Sequence, residues 1–102
     1  FNLTSRIEGY WDRNDTEIDL VAENADDKVI RFGSCKRSGS KLPADVPVLR
    51  GHVDRFLSTS PAYRSWKTEL VSIAPAIDAQ TRASIIAAGA IPQDLNDLVK
   101  GL

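Results

Sequence analysis

The sequence predicts an α/β domain built on a mixed β-sheet, and two observations carry that reading. The first third of the chain holds three short runs of alternating polar and apolar residues joined by turn-forming clusters, the pattern of an antiparallel meander. The remainder interleaves helical periodicity with short apolar runs, which adds helices and further strands to that meander. The expected order is β-β-β-α-β-α, a sandwich in which helices flank a mixed sheet, not a bundle or a barrel.

The first strand is expected over residues 3–11, LTSRIEGYW, with Ile7, Gly9 and Trp11 on one face and Arg6, Glu8 and Tyr10 on the other. The cluster DRND at 12–15 turns the chain into a second strand, TEIDLVAE at 16–23, where Ile18 and Leu20 oppose Glu17, Asp19 and Val21. Asn24, Ala25, Asp26 and Asp27 make the next turn, and KVIRFGSCK at 28–36 is the third strand. A loop, RSGSKLPA at 37–44, precedes a helix that Asp45 and Pro47 open, since proline is tolerated in a first turn. Leu49, Val53, Phe56 and Leu57 form its apolar stripe, and it should end near Ser58, before the Ser60-Pro61 break. Residues 61–67 read equally as a helical turn or the approach to a strand. ELVSIAP at 69–75 is a fourth strand, and Asp78 is placed to cap a helix over 79–88 that Gly89 closes. Ala90, Ile91 and Pro92 give a brief extended piece, and DLNDLV at 94–99 a last short helix.

Composition bounds what such a domain does. At 102 residues, 42% hydrophobic and 26% charged, the chain suits one small folded domain and excludes disorder and collagen-like structure. No apolar run approaches the roughly 18–20 residues a membrane crossing requires. The single cysteine, Cys35, rules out an internal disulfide or a cysteine-cluster zinc site and suits the cytoplasm. No methionine is present and the chain starts at Phe1, so a piece of a longer protein is expected. The net charge of −1 conceals a pattern: residues 1–30 carry −5, residues 31–67 carry +6, and residues 68–102 carry −2. An acidic hairpin beside a basic middle third suits a site for metal and phosphate, although opposite charges spread over one surface would give the same counts. No GxxxxGK[ST] loop occurs, so ATP binding is not expected of this segment.

Side chains two apart on a strand share a face, so Glu17 and Asp19 point together, as do Ser34 and Lys36, with Cys35 turned the other way. Pairing the second and third strands brings Asp19 near Ser34 and Lys36. Carboxylates opposite a lysine make a compact site for a divalent cation and phosphate, because Mg²⁺ prefers oxygen ligands and keeps several waters.

The segments EIDLVAE (17–23) and VIRFGSCKRS (29–38) resemble the core of the restriction-endonuclease-like, PD-(D/E)XK, superfamily. More closely they resemble an uncharacterised domain that follows P-loop ATPase modules in many archaeal and bacterial proteins. Tyr10-Trp11-Asp12 stands where that family has an aromatic pair, Glu17-Ile18-Asp19 where an Asp closes a triplet, and Ser34-Cys35-Lys36 where it usually has Glu-Cys-Lys. The helix with His52-Val53-Asp54-Arg55-Phe56-Leu57 and the LVSIAP strand keep the same order. The resemblance implies catalytic roles for Asp19, Lys36 and Glu17, metal contacts from Asp19 and Glu17 with Mg²⁺ as the cofactor, and nucleic-acid contacts from Lys36, Arg37 and Lys41. It also implies an N-terminal ATPase module in the same chain.

The departure is Ser34. A hydroxyl is a neutral, weak ligand where the family has its second carboxylate, so the site should be depleted unless Glu17 or Glu8 supplies a substitute. The expected function is therefore a nuclease-fold module that binds nucleic acid or protein for an ATPase. An active Mg²⁺-dependent deoxyribonuclease and a dimerisation module without a nucleic-acid role are the alternatives. Of the remaining residues, Cys35 is expected in the core, His52 half-buried beside the helix stripe, and Trp11 and Trp66 as packing anchors. Ile85, Ile86, Leu95, Leu98 and Val99 are expected to form packing surface, part of it against a neighbouring domain.

Overall fold

The computed structural model describes residues 7–11, 17–95 and 97, with side chains from residue 18 onward. Five strands make one sheet in chain order: β1 (Ile7–Trp11), β2 (Glu17–Asn24), β3 (Val29–Cys35), β4 (Lys67–Ile73) and β5 (Ala90–Gln93). The pairs β1–β2 and β2–β3 are antiparallel, whereas β3–β4 and β4–β5 are parallel. Parallel neighbours need long crossovers, and α1 (Leu42–Ser58) and α2 (Ala79–Ala87) provide them. Among the described residues the chain is thus a small α/β domain with a mixed sheet and two α-helices. The expected start of the first strand and the 12–15 turn lie outside the described residues, as do residues 96, 98 and 99 of the expected helix at 94–99.

Local chemistry accounts for the turns. Asn24 and Asp27 bond reciprocally, the Asp27 N–H to Asn24 Oδ1 and the Asn24 amide to the Asp27 carboxylate, both at 3.1 Å, and Lys28 takes a positive φ of 53°. Residues 61–67 resolve into a 3₁₀ turn, Pro61–Tyr63, and the first residue of β4. α1 begins at Leu42, three residues ahead of the expected start, because a 3₁₀ turn at Gly39–Lys41 feeds directly into it. Pro47 consequently sits inside the helix, at the loss of one backbone hydrogen bond. Leu42, Val46, Leu49 and Val53 are its buried stripe, at spacings of four, three and four. α2 starts as expected: the Asp78 carboxylate accepts from the Thr81 N–H at 2.7 Å, and Gly89 closes it at φ +95°.

Phe32, Ile30, Ile18, Leu42 and Ile85 are essentially inaccessible, each stabilising the fold by roughly 1.5–3 kcal/mol through burial. α1 and α2 touch each other and share this core, so both cover the same side of the sheet. Arg50 on α1 donates to the Ala88 carbonyl at the end of α2, at 3.0 Å. Phe56 meets Phe32 edge-on at 5.3 Å, and Tyr63 and Trp66 continue the aromatic run. Trp66 is a half-buried packing residue, as expected.

The strand alternation fails at one point. Strict alternation along β2 puts Val21 on the face opposite Ile18, yet both are buried in the same core. The register slips between Glu8 and Tyr10, so that four residues of β2 (Ile18 to Val21) span three of β1 (Glu8 to Tyr10). Such a bulge shifts the alternation by one residue.

Beyond β5 a small polar network anchors the chain. Asp94, only 6% exposed, receives Arg82, which also bonds Asp97 at 2.9 Å. The N–H of Asp94 bonds the Asp97 carboxylate and the N–H of Asp97 bonds Asp94, at 2.9 and 3.0 Å. The Asp97 N–H, helped by Arg82, holds the Asp94 carboxyl below the usual carboxylate range against the opposing effect of burial.

Candidate functional site

β2 and β3 are antiparallel neighbours with Leu20 opposite Gly33, so the next step of the ladder brings Asp19 beside Ser34. The Asp19 carboxylate accepts the backbone N–H of Cys35 at 2.8 Å, ending the ladder with a side chain in place of a carbonyl. Ser34 is buried and points toward α1, where its hydroxyl donates to Asp45 Oδ2 at 2.5 Å. The Lys36 ammonium, on the same side of β3, lies 3.5 Å from Asp45 Oδ1. Asp19, Ser34, Lys36, Asp45, Leu49 and His52 line one depression of about 270 Å³.

The strand pairing therefore brings Asp19 and Lys36 to one pocket. Glu17 pairs through its backbone with Trp11, but its side chain lies outside the described residues. Arg37 and Lys41 are exposed. Lys41 stands at the entry to α1, and Arg37 lines an adjoining apolar depression. His52 is half-buried, as expected. Asp45 is the residue that sequence reasoning misses. From the sequence it signals only a helix start, although Asp45, Leu49 and His52 recur at spacings of four and three, which sets all three on one helical face. Its carboxylate sits against Ser34, the position at which the resemblance would have an acidic residue.

Cys35 is exposed, not in the core. With Ser34 turned toward the helices, alternation sends Cys35 to the other side of the sheet, away from α1 and α2. Desolvation and, secondarily, the Asp19 carboxylate push its thiol pKa up, so the thiolate a nucleophile requires is disfavoured. Next to Ser34 in the β3–β4 register stands Ser72. It is 1% exposed, and its hydroxyl has no hydrogen-bond partner among the described residues.

Two carboxylates against one ammonium leave the pocket with a modest negative charge. Each carboxylate already serves a protein donor, and among the described residues no three His, Cys, Asp or Glu side chains gather into a metal-binding group. One or two carboxylates with waters and a phosphate can hold Mg²⁺, but here the Lys36 ammonium competes with a cation for Asp45. Among the described residues no helix is long and apolar enough to cross a membrane.

Fold and site together define an α/β domain with a mixed sheet whose second and third strands and first crossover helix converge on a polar pocket. No family model matches the chain, and comparison with curated proteins and with solved structures finds none similar to it.

Proposed function

We propose that this domain is a restriction-endonuclease-like module with a depleted metal site that binds nucleic acid on behalf of an ATPase in the same chain, in the cytoplasm. The observation that carries the reading is the convergence of Asp19, Ser34 and Lys36 on one pocket, from the strands the resemblance names. The element order and the parallel return of β4 beside β3 agree with it. In this reading Lys36, Arg37 and Lys41 meet phosphates, while the Ser34–Asp45 hydrogen bond and the Lys36–Asp45 pair hold the pocket together.

No step through Mg²⁺ is assigned, because among the described residues both pocket carboxylates, Asp19 and Asp45, already accept hydrogen bonds from the protein. The rival is an active nuclease in which Asp45 stands in for the missing carboxylate, and one assay separates the two. The full-length protein, incubated with Mg²⁺ or Mn²⁺ and linear, branched or single-stranded DNA, is expected to retard the DNA and leave it intact. Cleavage that disappears in Asp19→Ala and Lys36→Ala would replace this reading with the active enzyme. Dimerisation through the β5 edge is disfavoured by Pro92, since proline in an edge strand blunts strand pairing.

A further inference from the structure

The polar pocket has an apolar neighbour. A depression of about 450 Å³ opens beyond the carboxyl ends of β3 and β4, lined by Cys35, Lys36, Arg37, Ile73, Pro75 and Leu95. Open α/β sheets take ligands at that end of their parallel strands, and the volume falls in the range of small-molecule sites. Its surface is almost wholly apolar, with Leu95 60% exposed. Two cations, Lys36 and Arg37, stand on its rim, and Cys35 and Lys36 line both depressions. Lys36 is partly engaged by Asp45, whereas Arg37 extends from the exposed loop after β3.

A surface that is apolar in the middle and cationic on one rim complements a ligand with an apolar face and an attached anion. An unpaired nucleotide is such a ligand: its base presents an apolar face and its phosphate the charge. A duplex supplies the phosphate but hides the base faces in its stack. We infer that the Ile73–Pro75–Leu95 shelf receives the base of an unpaired nucleotide whose phosphate lies against Arg37 and Lys36, so that the domain prefers single strands or frayed ends to duplex. This inference rests on the nucleic-acid reading above and goes beyond it by naming the form bound.

The test is fluorescence anisotropy with the full-length protein, a labelled single-stranded oligonucleotide and a duplex of the same length, at low and moderate salt. The single strand is expected to bind several-fold more tightly, because an aliphatic shelf gains apolar burial of one base without aromatic stacking. Leu95→Ser, a change at an exposed position, should abolish that preference while leaving duplex affinity unaltered; Arg37→Ala should weaken both. Equal affinity for the two forms, or a preference that survives Leu95→Ser in a protein with an unchanged melting curve, overturns the inference and leaves the nucleic-acid reading standing. Failure to bind either form at low salt overturns both.

Discussion

Ser34 and Ser72 are neighbours in the β3–β4 register, and both are buried. Their hydroxyls differ in one respect: Ser34 donates to Asp45, and Ser72 has no partner among the described residues. Replacing each with alanine should therefore shift stability in opposite directions. A hydrogen bond to a charged group contributes about 1.5–3 kcal/mol. Asp45 keeps some solvent access, its side chain being 15% exposed, so water recovers part of the loss and Ser34→Ala should cost about 1–2 kcal/mol. Ser72→Ala removes a desolvated hydroxyl that bonds nothing and should stabilise the domain by up to about 1 kcal/mol. Asp45→Ala converts Ser34 into a second orphan and should cost about 1–3 kcal/mol. The Lys36 pair adds little to that figure, because the Lys36 side chain is 41% exposed. In the double variant Ser34→Ala/Asp45→Ala the orphan is gone, so the combined cost should fall below the sum of the two single costs by about 1 kcal/mol. Urea denaturation of the four variants and the parent measures all of this. Changes of the same sign at Ser34 and Ser72, or strict additivity of Ser34 with Asp45, would refute the reasoning.

Three further outcomes follow from contacts elsewhere in the domain. The Asp94 carboxyl titrates below its ordinary value in the folded protein, so its contribution is complete above the unfolded carboxylate pKa and is lost as pH falls below about 4. Thermal melts from pH 7 to pH 2 should show that acid limb, and Asp94→Asn should flatten it; an equally steep limb in the variant would rule the contribution out. The Cys35 thiol, raised by desolvation and by Asp19, should be alkylated by iodoacetamide with a pH midpoint above the ordinary thiol value, and Asp19→Asn should move the midpoint down. A parent midpoint at or below the ordinary value would contradict this. Gly89→Ala forces a β-carbon into a φ of +95° and to within 2.7 Å of the Arg50 guanidinium, and should cost about 1 kcal/mol or more by urea titration.

Much of the architecture is legible in the sequence because its signals are local. The three alternating runs with polar turns, the α1 stripe and the Asp78–Gly89 bracket around α2 each read off a window of fewer than twenty residues. What escapes depends on distant partners. The burial of Val21 follows from a bulge opposite β1, which no pattern within TEIDLVAE announces. The early start of α1 follows from the 3₁₀ turn at Gly39–Lys41; there a β-carbon on Gly39 would come within 2.5 Å of the Ala76 carbonyl oxygen, a close approach imposed by a residue 37 positions away in sequence. The site divides the same way. Placing Asp19 beside Lys36 needs only strand alternation and one antiparallel pairing, both readable. Bringing Asp45 against Ser34 requires knowing how the first turn of α1 folds over the end of β3, and only the packed core fixes that. Cys35 is misjudged from sequence because the side of the sheet that the helices cover is a property of the crossovers, not of the strand.

Phosphate contacts from Lys36, Arg37 and Lys41 are central to the proposed function, and the salt dependence of nucleic-acid affinity tests these most directly. Plotted as log affinity against log salt for a single-stranded oligonucleotide, the slope should be shallower by about 2 when all three are replaced by alanine, from roughly 0.7 for each phosphate that is no longer neutralised. An unchanged slope in a triple variant that remains folded, or a parent protein that binds no nucleic acid at low salt, would contradict it.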